Sequence, residues 1–530
     1  MSVKYHTTNA VVYSRLLHYG FIPETVDALF SSSEYADFVQ KNDSLLNIDL
    51  KKITLELFSF KLTRNNNSPR LLGIIHPYAY VNLARTITTS WPDLMKIVIN
   101  NKKDKSFKPM SIIKPTLSST NGRIVNLYSD PYSYEMKDRD NFKNEIKLIN
   151  SKLNATILVK ADISNCYHSI YIHSVSWTAK GRIAAFTERA EKYWNNKLEK
   201  ALMFCQSSES IGLPIGPDTS AVIAEYILSA VDRELKKFSY IRYIDDYRCY
   251  CSSVEEAEEF IISLSNALEK NRLYLNTKKT EILKLPQATN SSWVTSLRIL
   301  NLSLPKTIDD KNVSVVENFL NLTVDLSKNY PQESPLKYAL KILVDRHFTD
   351  ANSYLNICKY VLHLTILHPY ILESSEKFIN IGYKNFSKSK TELDILVENF
   401  IVELVKIHAP YKRSDALTWA MAIAIKYKIK LSIKIIKKIV KASDSASSLF
   451  AYLYCNQNYI TGKIVFPKRN SDTSWWLYSY EINRINKKKF KIKNRKDFDF
   501  LNTMLKNNVS FINQDFFTNS SIEPILKVSF

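Results

Sequence analysis

Glycine is scarce in this chain, with 8 in 530 residues where average usage of about 7% would give roughly 37. Flexible Gly-rich linkers are thereby excluded, and turns that need a left-handed backbone must be built from other residues. No uninterrupted apolar run reaches 18 residues, so no membrane span is expected. The opening Met1-Ser2-Val3-Lys4-Tyr5-His6 holds no apolar signal core. The 6 cysteines lack zinc-site spacing, and Cys249-x-Cys251 alternates along one strand. Reduced thiols in the cytoplasm are the simplest reading. Acidic residues are in deficit: 52 against 73 Lys and Arg, a net charge of +21. Residues 311–530 hold 33 basic and 19 acidic residues, a net of +14, which leaves +7 for residues 1–310. Such a field favours polyanionic partners and speeds their encounter, although a basic surface also serves solubility alone. With 45% hydrophobic residues there is ample core, and the length admits one to four domains.

What is present is concentrated around acidic residues. The run Tyr240-Ile241-Arg242-Tyr243-Ile244-Asp245-Asp246-Tyr247-Arg248-Cys249-Tyr250-Cys251 predicts two short strands with adjacent aspartates at the bend. Carboxylates beside a buried sheet are costly unless neutralised, and oxygen-only ligands suit Mg²⁺. A solvated turn would show the same local pattern. Upstream, Ala155-Thr156-Ile157-Leu158-Val159 predicts a buried strand that ends in Lys160-Ala161-Asp162. Between the acidic sites lie Gly212-Leu213-Pro214-Ile215-Gly216-Pro217 and a helical stretch from about Asp218 to Lys237. A second helix is expected over about 254–270, and Leu275-Asn276-Thr277-Lys278-Lys279-Thr280 leads into another strand. This order lets three carboxylates converge on one sheet edge while two helices cover the other face.

That order and wording resemble the palm of reverse transcriptases, over roughly residues 65–300. Asp162 matches the first catalytic aspartate, Tyr167 the aromatic that blocks a ribose 2′-hydroxyl, and Leu213-Pro214-Ile215-Gly216 the loop gripping template and nucleotide. Tyr243-Ile244-Asp245-Asp246 matches the Tyr-x-Asp-Asp box, and Asn276-Thr277-Lys278-Lys279-Thr280 places the family lysine at Lys279. Finer wording is similar to the bacterial abortive-infection and defence-associated branch: Ile74-Ile75-His76-Pro77, Ser169-Ile170-Tyr171-Ile172-His173-Ser174 followed by Trp177, and Leu-Pro-Ile-Gly-Pro. One departure stands out. Most reverse transcriptases carry Gln where this chain has Ile215, which removes an amide donor and puts ordinary templated, processive copying in question.

The resemblance implies an α+β fold: right-hand fingers and palm with an antiparallel palm sheet, then an all-α, helical-repeat-like C-terminal domain. The expected divisions are 1–150 (N-terminal helices and fingers), 151–305 (palm) and 306–530 (basic helical thumb or repeat-like region). Nucleotidyl transfer needs an activated 3′-hydroxyl and a stabilised pyrophosphate, which two metals about 4 Å apart supply. Two Mg²⁺ ions, with Mn²⁺ as the alternative, are expected on Asp162, Asp245, Asp246 and the Ile163 backbone carbonyl. Lys114 and Arg123 sit in a stretch read as a fingers hairpin over the triphosphate, or else as a solvated basic loop. Lys279 is read either near the leaving group or as a surface lysine. Tyr167, Pro214, Ile215 and Gly216 complete the expected nucleotide site, and Tyr243 is expected to touch nucleic acid.

Beyond 310 the pattern is helical. Ile429, Ile433, Ile436 and Val440 line one face, opposite Lys430, Lys434, Lys437, Lys438 and Lys441. A denser cluster, with Arg484, Lys488, Lys491 and Arg495, follows Trp475, Trp476, Tyr478 and Tyr480. Aromatics beside cations suit single strands, although the two tryptophans also read as core. Lys434, Lys438, Lys488, Lys491 and Arg495 are the expected nucleic-acid contacts here, and no nuclease constellation is visible. Expected partners are RNA (a non-coding template), product DNA and dNTPs, with further copies of the chain in a homo-oligomer, and no membrane. The function expected is DNA synthesis in phage defence, either RNA-directed or template-independent. A non-catalytic RNA-binding scaffold and an RNA-dependent RNA polymerase are the alternatives, the latter disfavoured by Tyr167.

Overall fold

The structure is a computed structural model that describes residues 9–43, 53–101, 108–109 (backbone only), 152–288, 291–469, 471–491 and 495–518. Its centre is a five-stranded sheet of order β3-β5-β6-β4-β7, with β3 Lys108–Pro109, β4 Ile157–Asp162, β5 Tyr240–Tyr243, β6 Asp246–Cys251 and β7 Glu281–Lys284. The antiparallel pairings β5·β6, β6·β4 and β4·β7 match the expectation. The exception is β3, which pairs in parallel with Ile241 and Arg242 of β5.

Alternation along the strands sorts the two faces. Ile157, Val159 and Ala161 of β4, with Tyr240, Tyr247, Cys249 and Cys251, point into the main core. Leu158, Ile241 and Tyr250 form a small apolar cluster on the other face. The helix Val254–Glu269 packs on β4 and β6 from the core side. Its start is fixed locally: the Ser253 hydroxyl accepts from the Glu256 amide at 3.3 Å, and the Glu256 carboxylate accepts from the Ser252 amide at 2.8 Å. The helix Asp218–Glu234 follows Pro217, which caps it from an extended backbone with its ring-fixed φ at −65°.

A separate hairpin, β1 Phe58–Thr63 with β2 Pro69–Ile74, joins the 212–216 loop to the C-terminal helices. The Thr63 amide donates to the Asp415 carboxylate at 2.6 Å, and Arg413 donates to the Asn67 carbonyl at 2.7 Å. At its other end the Gly73 amide donates to the Ile215 carbonyl at 3.0 Å. The C-terminal region is helical as expected, apart from a two-residue parallel pairing of Thr307–Ile308 with His347–Phe348. Its last segment returns to the start of the chain, where Phe21 packs among Tyr35, Tyr80, Trp476 and Phe511. Trp475 and Trp476 are both core residues, 8% and 2% exposed.

His76 caps the helix Pro77–Thr89, its Nδ1 accepting from the Tyr78 amide at 3.3 Å. Its Nε2 is buried with no partner among the described residues. Burial depresses the imidazole to about 4, with Asp497 and Arg495 acting in opposite senses. The unfolded chain takes up this proton near pH 6.5. Stability from this group is therefore complete above about pH 6.5 and falls as pH drops toward 4, by about 2 kcal/mol at pH 5. Urea unfolding at pH 7 and pH 5 should show His76→Gln losing less stability across that interval than the parent chain. Equal losses would contradict the assignment.

Candidate active site at the β4 and β5–β6 edge

Register places the acidic residues. β4 delivers Asp162 at its last position, directly opposite Asp246, the first residue of β6. Asp245 sits in the bend between, and its carbonyl accepts from the Ile163 amide at 3.1 Å. All three aspartates thus lie on one sheet edge. Ile163, the expected carbonyl ligand, is buried and held there by this bond and by a bridge to Leu275.

The bend is strained and tied. Ile244 has φ 55°, and among the described residues it is the one β-branched side chain in the left-handed region, a conformation costing about 1–3 kcal/mol. Arg242 holds it by donating to the Ile244 carbonyl at 3.0 Å. The same guanidinium, fully buried, donates to both Glu225 oxygens at 3.0 Å and to Asp232 at 3.0 and 2.7 Å. Glu225 and Asp232 are seven residues apart on the helix Asp218–Glu234 and so share a face. A planar fork is suited to bridging two carboxylates and a carbonyl, where a lysine is not.

The carboxylates are short of positive charge. Burial and the neighbouring charge of Asp162 push the Asp245 carboxyl up, while Lys279 and Arg70 oppose the rise. Burial, the charge of Asp245 and a hydrogen bond with Asp162 lift the Asp246 carboxyl to about 7. Asp162 is neutralised by the turn after Leu275: Asn276 Nδ2 donates to it at 3.1 Å and Lys279 Nζ at 3.0 Å. Among the described residues no three acidic, histidine or cysteine side chains close into a ready-made metal cage. The donor set nevertheless fits hard cations, being all oxygen and under-neutralised. The lysine on Asp162 is 58% exposed and can swing aside.

The residues expected at the nucleotide adjoin this edge. Tyr167 is half-buried, and burial, then the charges of Cys166 and Asp245, raise its hydroxyl. Its carbonyl accepts from the Leu213 amide at 2.7 Å, and the Ile170 carbonyl from the Gly212 amide at 2.8 Å, which stitches the 212–216 loop to the segment after β4. Pro214 is buried and Ile215 half-buried against the core. Gly216 has φ +126°, and an added Cβ would lie 2.4 Å from Pro23 Cγ, so only glycine fits. Tyr243 is half-buried beside the Leu158 cluster, with the Arg248 guanidinium 6.0 Å from its ring centroid.

Sequence reasoning missed three groups. Arg242 with Glu225 and Asp232 had a visible signal, an arginine inside an apolar strand and two acids at helical spacing. Asn276 stands in a quoted motif without a role. Arg70, on β2, faces Asp245 and Tyr167 electrostatically, and nothing local in its sequence marks it. Lys114 and Arg123 lie outside the described residues. Lys434 and Lys438 are exposed on the helix Ile433–Lys441, whose Ile436 and Val440 are buried. Lys488 and Lys491 are exposed. Arg495 is engaged by Asp497 at 2.6 Å and stacks on Phe498 at 4.2 Å. Tyr478 and Tyr480 point into the core and offer no stacking surface beside these cations.

Residues 100–316 match a family model described as "Reverse transcriptase (RNA-dependent DNA polymerase)". The chain carries a reverse transcriptase domain. The matched stretch contains β3 to β7, all three aspartates and Lys279, and the chain is accordingly an RNA-directed DNA polymerase by type. Reverse transcriptase domains use divalent metal ions, typically Mg²⁺. No curated protein matches the chain. Among solved structures, apo telomerase from Candida tropicalis overlaps 88% of this chain and 76% of its own at 10% identity and TM-score 0.30. Telomerase from Candida albicans in complex with a TWJ fragment of telomeric RNA overlaps 68% and 69% at 10% identity and TM-score 0.28. These overlaps are too loose to transfer a function to the reverse transcriptase domain. Among the described residues no helix is long and apolar enough to cross a membrane.

Proposed function

We propose that the reverse transcriptase domain makes DNA from dNTPs at the Asp162–Asp245–Asp246 edge, in an antiphage defence role of the abortive-infection type and with a non-coding RNA as partner. The observation that carries the chemistry is the convergence of these aspartates and Lys279 on one sheet edge, next to Tyr167. Asp162 and Asp245 would hold two Mg²⁺ ions, with Asp246 supporting them. When bound, the ions supply an activated 3′-hydroxyl and a stabilised pyrophosphate. The chain's own part is to fix the bend, through Arg242 and Ile163, and to seat the sugar against Tyr167. Lys279, released from Asp162, would face the developing phosphate charge. The defence role and the RNA partner rest on the sequence resemblance and the basic C-terminal surface.

Ile215 favours a second mode, addition without a template, because an apolar side chain replaces an amide and only its carbonyl is engaged, by Gly73. Purified protein given labelled dNTPs, with and without a defined RNA template and primer, distinguishes the modes by product sequence. No incorporation in any arm, together with no RNA or DNA co-purifying from cells, would contradict both. Tyr167→Val should keep dNTP use while relaxing rNTP exclusion about 10- to 100-fold, a change of roughly 1–3 kcal/mol in the sugar pocket. Competition between dNTP and rNTP in single-nucleotide additions measures this, and unchanged exclusion would remove Tyr167 from the sugar site.

A further inference from the structure

A cavity of about 320 Å³ opens between the segment after β4 and the helices Arg182–Thr187 and Trp194–Phe204, on residues the reactions above do not use. Tyr171, His173, Trp177, Phe186, Arg189 and Glu199 are among its lining. Three of these come from the run Tyr171-Ile172-His173-Ser174 and its following Trp177. Half of that run is explained by packing: Ile172, Ser174 and Val175 are buried, and the Val175 carbonyl accepts from the Tyr226 hydroxyl. The ring-bearing half faces the cavity instead.

Three features of the lining point to one kind of ligand. The first is ring surface: Phe186 is 60% exposed and Tyr171 is half-buried, backed by the buried Trp177 at 5.3 Å and by His173 at 5.0 Å between centroids. The second is cations lying on those rings. Arg189, in the lining, sits 5.5 Å over Phe186, while Arg182 and Arg272, outside the lining, lie 4.2 Å over Trp177 and 4.5 Å over Tyr171. None of these three arginines pairs with a carboxylate among the described residues, so their N–H groups remain available to phosphate. The third is an oriented imidazole. Glu199 is 8% exposed and accepts from the Ser176 amide at 3.0 Å and from His173 Nδ1 at 2.8 Å. That fixes the His173 ring and leaves Nε2 for the edge of a base.

We propose that this cavity is a nucleotide-binding site separate from the polymerising edge, taking one base against the Phe186 and Tyr171 rings and its phosphate on Arg189. The volume lies at the small end for ligand sites, roughly 300–1,000 Å³, which suits one nucleotide unit and excludes a duplex. The wall is continuous with the polymerase loop: Tyr171 bridges Ile211, and Gly212 and Leu213 bond back to Ile170 and Tyr167. The inference rests on the reading of the domain as one that handles nucleic acid, and its test involves no synthesis.

The test uses full-length protein in EDTA with a short fluorescent single strand carrying one 5-iodouracil. Irradiation should place the cross-link on Tyr171 or Phe186, as mapped by mass spectrometry. Anisotropy should show Phe186→Ala and Arg189→Ala each weakening binding about 5- to 100-fold, the range of 1–3 kcal/mol per stacked base. Ile183→Ala, on the same exposed helix but outside the lining, should bind as the parent. Displacement by excess dTMP would assign the site to a free nucleotide, and displacement by unlabelled strand alone would assign it to a strand. Cross-links confined to other regions would overturn the proposal, as would Phe186→Ala binding like the parent or an acidic peptide displacing the strand equally well. Binding that survives while dNTP incorporation fails would leave this site standing and remove the polymerase reading alone.

Discussion

Asp245→Asn and Asp246→Asn should each lower dNTP incorporation by roughly 10³-fold or more, with thermal stability equal to or above that of the parent. The activity loss follows from the residue types. A group that acts only as part of a catalytic unit gives nearly the full loss when removed alone. The stability gain follows from the electrostatics. Burial and mutual repulsion raise both carboxyls, so removing one charge relieves the other, and sites arranged for function commonly gain stability when dismantled. Incorporation assays beside thermal melts test the pair of expectations. In cells, plaque counts should show protection with the parent chain and none with the double variant. Protection retained by the double variant would favour the non-catalytic scaffold.

Arg242→Met should cost about 3–5 kcal/mol, because it leaves Glu225 and Asp232 buried without a counter-charge. Their side chains are 5% and 0% exposed, so water cannot replace the guanidinium. Replacing all three by apolar residues, as Arg242→Met with Glu225→Leu and Asp232→Leu, should restore most of the stability. It should not restore activity. The Ile244 carbonyl has then lost its tether, and the bend that carries Asp245 can relax from φ 55°. We expect kcat to fall about 10- to 100-fold with KM for dNTP little changed, which is the signature of misplaced catalytic groups rather than lost binding. Recovery of kcat together with stability would make Arg242 a structural residue only.

The parts legible in the sequence are those written in local pattern. Aromatic and β-branched alternation around Tyr243 gives β5, the bend and β6. Ala155–Val159 announces β4, which runs on to Asp162, and the helix expected over about 254–270 is found at Val254–Glu269. The spacing of Tyr167 from Asp162 places it beside the edge because a short turn of helix, Cys166–Ser169, leaves it little freedom. The parts not legible depend on contacts between distant segments. Two residues of β3 have no period to read, so its parallel pairing is invisible beforehand. Nothing local in Phe58–Gly73 shows that Gly73 docks on Ile215 or that Arg70 faces Asp245. Trp475 and Trp476 show the opposite difficulty. Their neighbours are cationic, but both rings are core: Trp476 packs on His76 and Phe511, and Trp475 on Tyr478. The lysine of Asn276–Thr280 illustrates a third limit: its motif places it in the domain, while only the turn geometry shows it neutralising Asp162.

The account depends on Asp162, Asp245 and Asp246 sharing bound cations once Lys279 gives way. A crystal of the full-length protein soaked in Mn²⁺, with data collected for the anomalous signal of manganese, tests this directly. The account predicts manganese within about 2.5 Å of carboxylate oxygens of both Asp162 and Asp245, with Lys279 moved off Asp162. Manganese absent from this edge at a concentration that supports dNTP incorporation, with the Lys279–Asp162 pair intact, would contradict it.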